Sequence, residues 1–167
     1  MSFAVAILVA AASVCTLPSS EEAAQRALSY PAFDSRDGPF GWRALAAAGC
    51  TDSAVSLLTS YAEVNRSRLT PAERREAAFH VGQVLAMAGR EQEAMGHFEQ
   101  ALDAEAPAEW ATYVKATLAF LRRDAAALRA ARTSYEALAP GSGRLRIIDG
   151  LIACPTEPYM KAAHCKM

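Results

Sequence analysis

Histidine and acidic side chains are the groups in this sequence with the widest scope for catalysis or metal binding. The three histidines, His80, His97 and His164, lie in different predicted helices. Glu76 and His80 are four residues apart, so a helix would place both on one face, as an acid–base or metal-binding pair. A surface or groove hydrogen bond explains the same spacing more simply. A small all-α enzyme that uses this pair is therefore our least favoured hypothesis.

Other catalytic and metal-binding patterns are missing from the sequence. It contains no nucleophile elbow, phosphate-binding glycine loop or zinc-protease motif, and no Cys-x-x-Cys or closely spaced histidine pair. Asp34, Asp37 and Asp52 lie near Cys50, where turn formation and helix capping account for them. We expect no catalytic residue, no metal site and no cofactor.

Four cysteines are present, and they are Cys15, Cys50, Cys154 and Cys165. An even number in an exported protein predicts two disulfides, for which three connectivities exist. We favour Cys154 with Cys165 and Cys15 with Cys50, because Pro155 and Pro158 interrupt any helix and let the chain turn back. Four reduced thiols in a cytoplasmic protein are the alternative.

Residues 1–12 predict a signal peptide. The run from Phe3 to Val14 is apolar or small, and it is shorter than the roughly 20 residues that span a bilayer. Alanines at positions 10–12 supply the small-x-small cleavage pattern. The basic region of a signal peptide is missing, so an upstream start or a retained first helix in a cytoplasmic protein are alternatives. Residues 12–15 also loosely resemble a bacterial lipobox, which would make Cys15 a lipid anchor. We expect the protein to be periplasmic or secreted.

Composition predicts a single all-α domain. The chain has 167 residues, and nearly a quarter of them are alanine, the residue with the best helix propensity, while isoleucine and valine are sparse. The 17 basic and 18 acidic residues give a net charge of −1 without a run of either sign. A nucleic-acid partner or a polybasic membrane-binding patch is therefore not expected.

Three regions follow the predicted signal peptide. A lead-in over 13–41 holds one short helix, 21–29, with Ser19 or Ser20 as its cap and turns at Pro31 and beyond. Helical hairpins follow over 42–142, and a helical cap occupies 143–167. Apolar residues recur at helical spacing, which predicts antiparallel pairs with short connections. The predicted helices are 42–48, 52–66, 71–88, 91–104, 108–121, 124–138, 144–152 and 158–164.

Residues 75–108 resemble a tetratricopeptide repeat. Matching positions are Val81, Gly82, Leu85, Gly89, Ala94, Phe98 and Ala101. The most specific part runs from Gly89 to Ala94 and continues with Phe98 and Ala101, whereas Ala78 and Pro107 depart from the pattern. The flanking segments fit only partly, so about 100 residues resemble one good and two degenerate repeats, stacked as a short solenoid.

The resemblance implies a concave groove that binds a peptide or protein partner. Carried onto this sequence, the groove-facing residues are Glu76, Phe79, Gln83, Trp110, Tyr113 and Thr117. Phe79 and Trp110 could instead be ordinary core residues covered by the lead-in. We expect an exported adaptor for an unidentified protein or peptide, with a lipid-anchored or structural envelope subunit as the alternative.

Overall fold

The chain is all-α. The computed structural model describes residues 15–35 and 41–165, and the predicted signal peptide lies outside them. Within those ranges there are ten helices: α1 Ser19–Ala27, α2 Tyr30–Phe33, α3 Trp42–Ala47, α4 Thr51–Val64, α5 Pro71–Met87, α6 Glu91–Gln100, α7 Ala108–Leu121, α8 Ala125–Leu138, α9 Gly143–Ala153 and α10 Tyr159–Ala163. None of the described helices has the length and apolar character needed to cross a membrane.

Local capping interactions explain where helix α5 begins and ends. The Thr70 side chain accepts a hydrogen bond from the Glu73 backbone N–H, and the Glu73 side chain accepts one from the Thr70 backbone, which forms a complete capping box. Pro71 then occupies the first turn, where its missing N–H costs nothing. After the helix, Gly89 adopts a φ of +77°, the left-handed conformation that ends many helices.

Three local predictions were wrong. Pro31 was expected in a turn, but it lies in the first turn of the short helix α2, a position that proline suits. The N-cap of α1 is Pro18 without a side-chain cap, so Ser19 and Ser20 lie inside the helix. Helix α6 ends at Gln100 rather than at residue 104. The turn beyond it is held by the Asp103 carboxylate, which accepts a hydrogen bond from the Glu105 backbone.

Helices that follow one another in sequence pack against one another. Helix α3 packs on α4, α5 on α6, α7 on α8 and α9 on α10, and the pairs are linked through α4 with α5, α6 with α7 and α8 with α9. Three contacts depart from this order: α1 packs on α4, α9 also packs on α7, and α10 reaches back to α5. The C-terminal segment therefore crosses the earlier hairpins.

Gly82 allows α5 and α6 to approach closely. A Cβ atom at this position would lie 2.9 Å from two carbons of the Phe98 ring. Phe98, Ala94 and Ala101 are completely buried on the α6 side of the contact. Because Gly82 has no side chain, the Phe98 ring can fill the space beside it.

Both favoured disulfides are present. Cys15 is bonded to Cys50, which ties the lead-in to the start of α4, and Cys154 is bonded to Cys165, which joins the segments after α9 and α10. On the chain-entropy model each bond stabilises the fold by about 3–4 kcal/mol. The sulfur of Cys15 that a lipid anchor would require is bonded to Cys50 in this structure.

Replacing Gly82 by alanine tests the close contact with Phe98. We expect Gly82→Ala to lower the free energy of unfolding by about 1–3 kcal/mol, because the new methyl group forces the ring or the helices apart. The matched control is Gly96→Ala in α6, where a Cβ atom meets nothing within 4 Å. That control should be neutral or stabilising by up to about 1 kcal/mol. Urea unfolding of both variants decides the matter, and equal effects would contradict the packing account.

Candidate functional site

An aromatic cluster joins α5 to α7. The ring centroid of Phe79 lies 5.3 Å from those of Trp110 and Tyr113, and 4.9 Å from that of Phe98. Phe79 and Tyr113 are each only 3% exposed, whereas Trp110 is half-buried. Edge-on and tilted contacts of this kind stabilise aromatic pairs beyond simple burial. The cluster fixes how the two helices face one another.

Tyr159 of α10 is buried on the same face of α5 and α7. Its side chain is 1% exposed, and its ring lies 6.2 Å from Phe98 and 6.3 Å from Phe120. Its hydroxyl lies among the side chains of Gln83, Thr117 and Tyr113, which offer it hydrogen-bonding groups. Burial raises the pKa of Tyr159 above its ordinary value, and these groups oppose the rise. Three of the predicted groove residues therefore converge on a side chain of the same polypeptide.

The C-terminal segment is held on this face from two directions. Gly150 lets the backbone of α10 lie directly against α9, because a Cβ atom there would be 2.5 Å from the Ala162 carbonyl oxygen. The Cys154–Cys165 disulfide closes the segment that carries Tyr159. The sequence predicts a terminal cap over residues 143–167. Helix α9 does pack against α7 and α8, but α10 goes further and covers part of the predicted groove.

The part of the face that α10 leaves open is a cleft of about 260 Å³ beside Trp110. The indole N–H of Trp110 donates a hydrogen bond to the Ala101 carbonyl, 2.8 Å away, so the ring is fixed in orientation. The Arg144 guanidinium lies 5.2 Å from the Trp110 ring centroid and 3.4 Å from Glu109. Glu76 lines the opposite part of the cleft. An oriented aromatic surface bordered by both charge signs suits a peptide with an aromatic or aliphatic side chain.

The six predicted groove residues therefore fall into two groups. Phe79, Tyr113 and Thr117 are buried and cannot touch a partner while α10 is in place. Glu76, Gln83 and Trp110 are half-buried, and Glu76 and Trp110 line the open cleft. Arg144 and Glu109 were not predicted as residues of this cleft, since Arg144 lies on α9 and only the stacking of the helical pairs brings it here.

A second polar cluster lies on the α2 side of α5. Asp34, Glu76 and His80 each offer one potential metal ligand, and the three atoms lie within 4.8 Å of one another. Asp34 also receives a hydrogen bond from the Arg43 guanidinium at 2.8 Å. Burial opposes ionisation of Asp34, but the nearby His80 and Arg43 side chains prevail and lower its pKa. The Glu76–His80 pair was visible as a helical spacing, whereas Asp34 was assigned only a turn-forming role.

Comparison with known proteins gives no relative on which to base a function. No family model, curated protein or solved structure matches this chain. Its function must therefore be argued from its own geometry.

The hydroxyl of Tyr159 should matter to the stability of the fold. Tyr159→Phe leaves polar side chains of α5 and α7 without their buried partner, so we expect a loss of about 1–3 kcal/mol in the free energy of unfolding. Lys161→Ala, on the exposed side of α10, is the matched control and should stay within about 0.5 kcal/mol of the wild type. Urea unfolding measures both, and a neutral Tyr159→Phe would show that these hydrogen bonds contribute nothing.

Proposed function

We propose that this chain is an exported protein-interaction module that binds a short segment of a partner protein in the cleft beside Trp110. The observation that carries the proposal is the α10 segment itself, a short helix with a buried tyrosine anchor that occupies the same face of α5 and α7. A face that accommodates one short segment through an aromatic anchor has the chemistry to accommodate a second beside it.

The architecture agrees with a tetratricopeptide-like arrangement, which we propose for residues 42–142. The best-matching pair, α5 and α6, packs through Gly82 against Phe98, with alanines 94 and 101 completely buried. These small residues stand where the repeat pattern requires close helix contact. In proteins of this kind the first helix of each hairpin lines the binding face, and here those helices are α5 and α7.

Export is supported by the cysteines. Cys15, Cys50, Cys154 and Cys165 all form disulfides, which is consistent with an oxidising compartment outside the cytoplasm. Together with the signal peptide expected in residues 1–12, this favours the periplasm or the extracellular space. The alternative of a lipid anchor gains no support, since the Cys15 sulfur is used by its bond to Cys50.

The chemistry of the open cleft indicates which partner segment it fits. Trp110 offers an apolar ring that is already fixed by its hydrogen bond to Ala101, so little side-chain entropy is lost on binding. Glu109 and Arg144 place one charge of each sign at the rim. We infer a short peptide with one aromatic or large aliphatic anchor and polar flanking residues of mixed charge.

Selection from a displayed peptide library tests this proposal directly. The folded, oxidised chain should enrich short peptides with an aromatic or large aliphatic anchor, and Trp110→Ala should weaken their binding by about tenfold or more, as expected for an interface hot spot. The control is Val64→Ala, which removes another exposed apolar side chain at the end of α4. Circular dichroism confirms that both variants are folded. Equal binding to wild type, Trp110→Ala and Val64→Ala, or no enrichment of peptides, would contradict the proposal.

A further inference from the structure

The polar cluster between the lead-in and α5 brings two carboxylates and an imidazole together beside a core that is otherwise mainly apolar. Asp34 follows α2, and Glu76 and His80 lie one helical turn apart on α5. Asp34 and His80 are 19% and 11% exposed at their side chains, so both are largely withdrawn from water. Two carboxylates and an imidazole in such a place need compensating charge or hydrogen bonds.

Buried polar atoms without a hydrogen-bond partner gather at this cluster. Among the described residues these atoms are the Tyr30 hydroxyl, the Trp42 indole nitrogen and His80 Nδ1, and the three residues are 6%, 4% and 8% exposed. The Trp42 ring lies 4.9 Å from the His80 ring. Burial, followed by the charges of Glu76 and Asp34, raises the pKa of Tyr30.

An unpaired buried polar atom costs about 1–3 kcal/mol. Three of them around one cluster would be a large penalty for a chain of this size, whose whole stability is about 5–15 kcal/mol. A cation at this point would pair the His80 nitrogen, and a water molecule bound to that cation would offer an acceptor to the neighbouring donor groups. The unpaired atoms therefore provide an indication of a ligand that is independent of the acidic residues themselves.

The distance between two of the cluster's atoms is compatible with a shared metal ion. His80 Nδ1 lies 3.1 Å from Asp34 Oδ1, yet the orientation does not make it a hydrogen bond. Zinc binds histidine nitrogen and carboxylate oxygen at about 2.0–2.2 Å, so two ligands at a tetrahedral angle lie about 3.3 Å apart. The observed separation is close to that value. Glu76 is a third ligand within reach, and a water molecule is the natural fourth.

The charges and ligand types favour a transition metal over magnesium or calcium. Arg43 donates to Asp34 through Nε to the backbone oxygen at 3.1 Å and through its terminal nitrogen to Oδ1 at 2.8 Å. The positive charge of Arg43 offsets one of the two carboxylate charges. Because Arg43 already donates to Asp34 Oδ1, a metal ion would bind either that same oxygen or the second oxygen of the Asp34 carboxylate. Magnesium and calcium prefer sites made of oxygen atoms only, whereas imidazole nitrogen suits zinc and its neighbours.

We propose that Asp34, Glu76 and His80 form a binding site for a divalent zinc-like cation that joins the lead-in to α5. This proposal replaces the expectation of no metal that the sequence produced, and it stands independently of peptide binding. Glu76 also lines the open cleft, so the site and the surface assigned to the partner share this residue.

The test uses the untagged, oxidised full-length chain after dialysis against a chelator. All four cysteines are in disulfides, so thiols do not compete for the metal. Calorimetric titration with Zn²⁺ should give one site per chain, and Co²⁺ should give the visible absorption of a tetrahedral complex. Zn²⁺ should also raise the melting temperature, because it binds the folded chain only.

The variants assign the site to these residues. His80→Gln and Asp34→Asn should each weaken Zn²⁺ binding by at least about tenfold, the lower limit seen even for residues around a metal's direct ligands. His97→Gln in α6 is the matched control and should bind as the wild type does. If His80→Gln fails to fold, Glu76→Gln supplies the same comparison. No Zn²⁺ binding by the wild type, or equal binding by the control and the cluster variants, would overturn the proposal.

Discussion

The burial of Tyr159 against α5 and α7 is the contact on which the arrangement of this protein depends. It converts an open stack of helical pairs into a closed one, because α10 crosses from α9 to the middle hairpin. Phe79, Tyr113 and Thr117 are buried on this face, and the cleft beside Trp110 is its accessible part. Large exposed apolar patches are interaction sites or aggregation liabilities, so the covering of this face by α10 matters to the protein.

The two ends of the described chain are attached to the hairpins by similar means. At the N-terminal end the Cys15–Cys50 bond is supplemented by hydrogen bonds from Tyr61 to the Leu28 carbonyl and from Asn65 to the Arg26 carbonyl. The Phe33 ring stacks on Tyr61 with centroids 3.7 Å apart. The C-terminal end combines a disulfide with a buried aromatic residue in the same way. Disulfides at both ends add to the stability that the hydrophobic core provides.

Features that depend on local sequence could be predicted, and features that depend on distant contacts could not. The capping box at Thr70, the left-handed Gly89, the bounds of α7 and both disulfide pairings were predicted correctly. Helical periodicity showed which side chains of α5 and α7 share a face, but it carries no information about the element that covers that face. The position of Tyr159 depends on the close approach of Gly150 in α9 to the α10 backbone and on packing of α10 against α5, which is distant in sequence. Asp34 was missed for the same reason, since nothing local links it to His80.

Two tryptophans, Trp42 and Trp110, occur in the sequence, and they report on the two proposed sites separately. Trp110 lies in the open cleft, whereas Trp42 is buried beside His80. The most direct test of peptide binding is therefore a titration of the ¹⁵N-labelled chain with a selected peptide, followed through the two indole N–H signals. If the peptide binds in the cleft beside Trp110, the Trp110 signal will shift saturably while the Trp42 signal stays in place. Binding that moves only the Trp42 signal, or neither signal, would contradict peptide binding in that cleft.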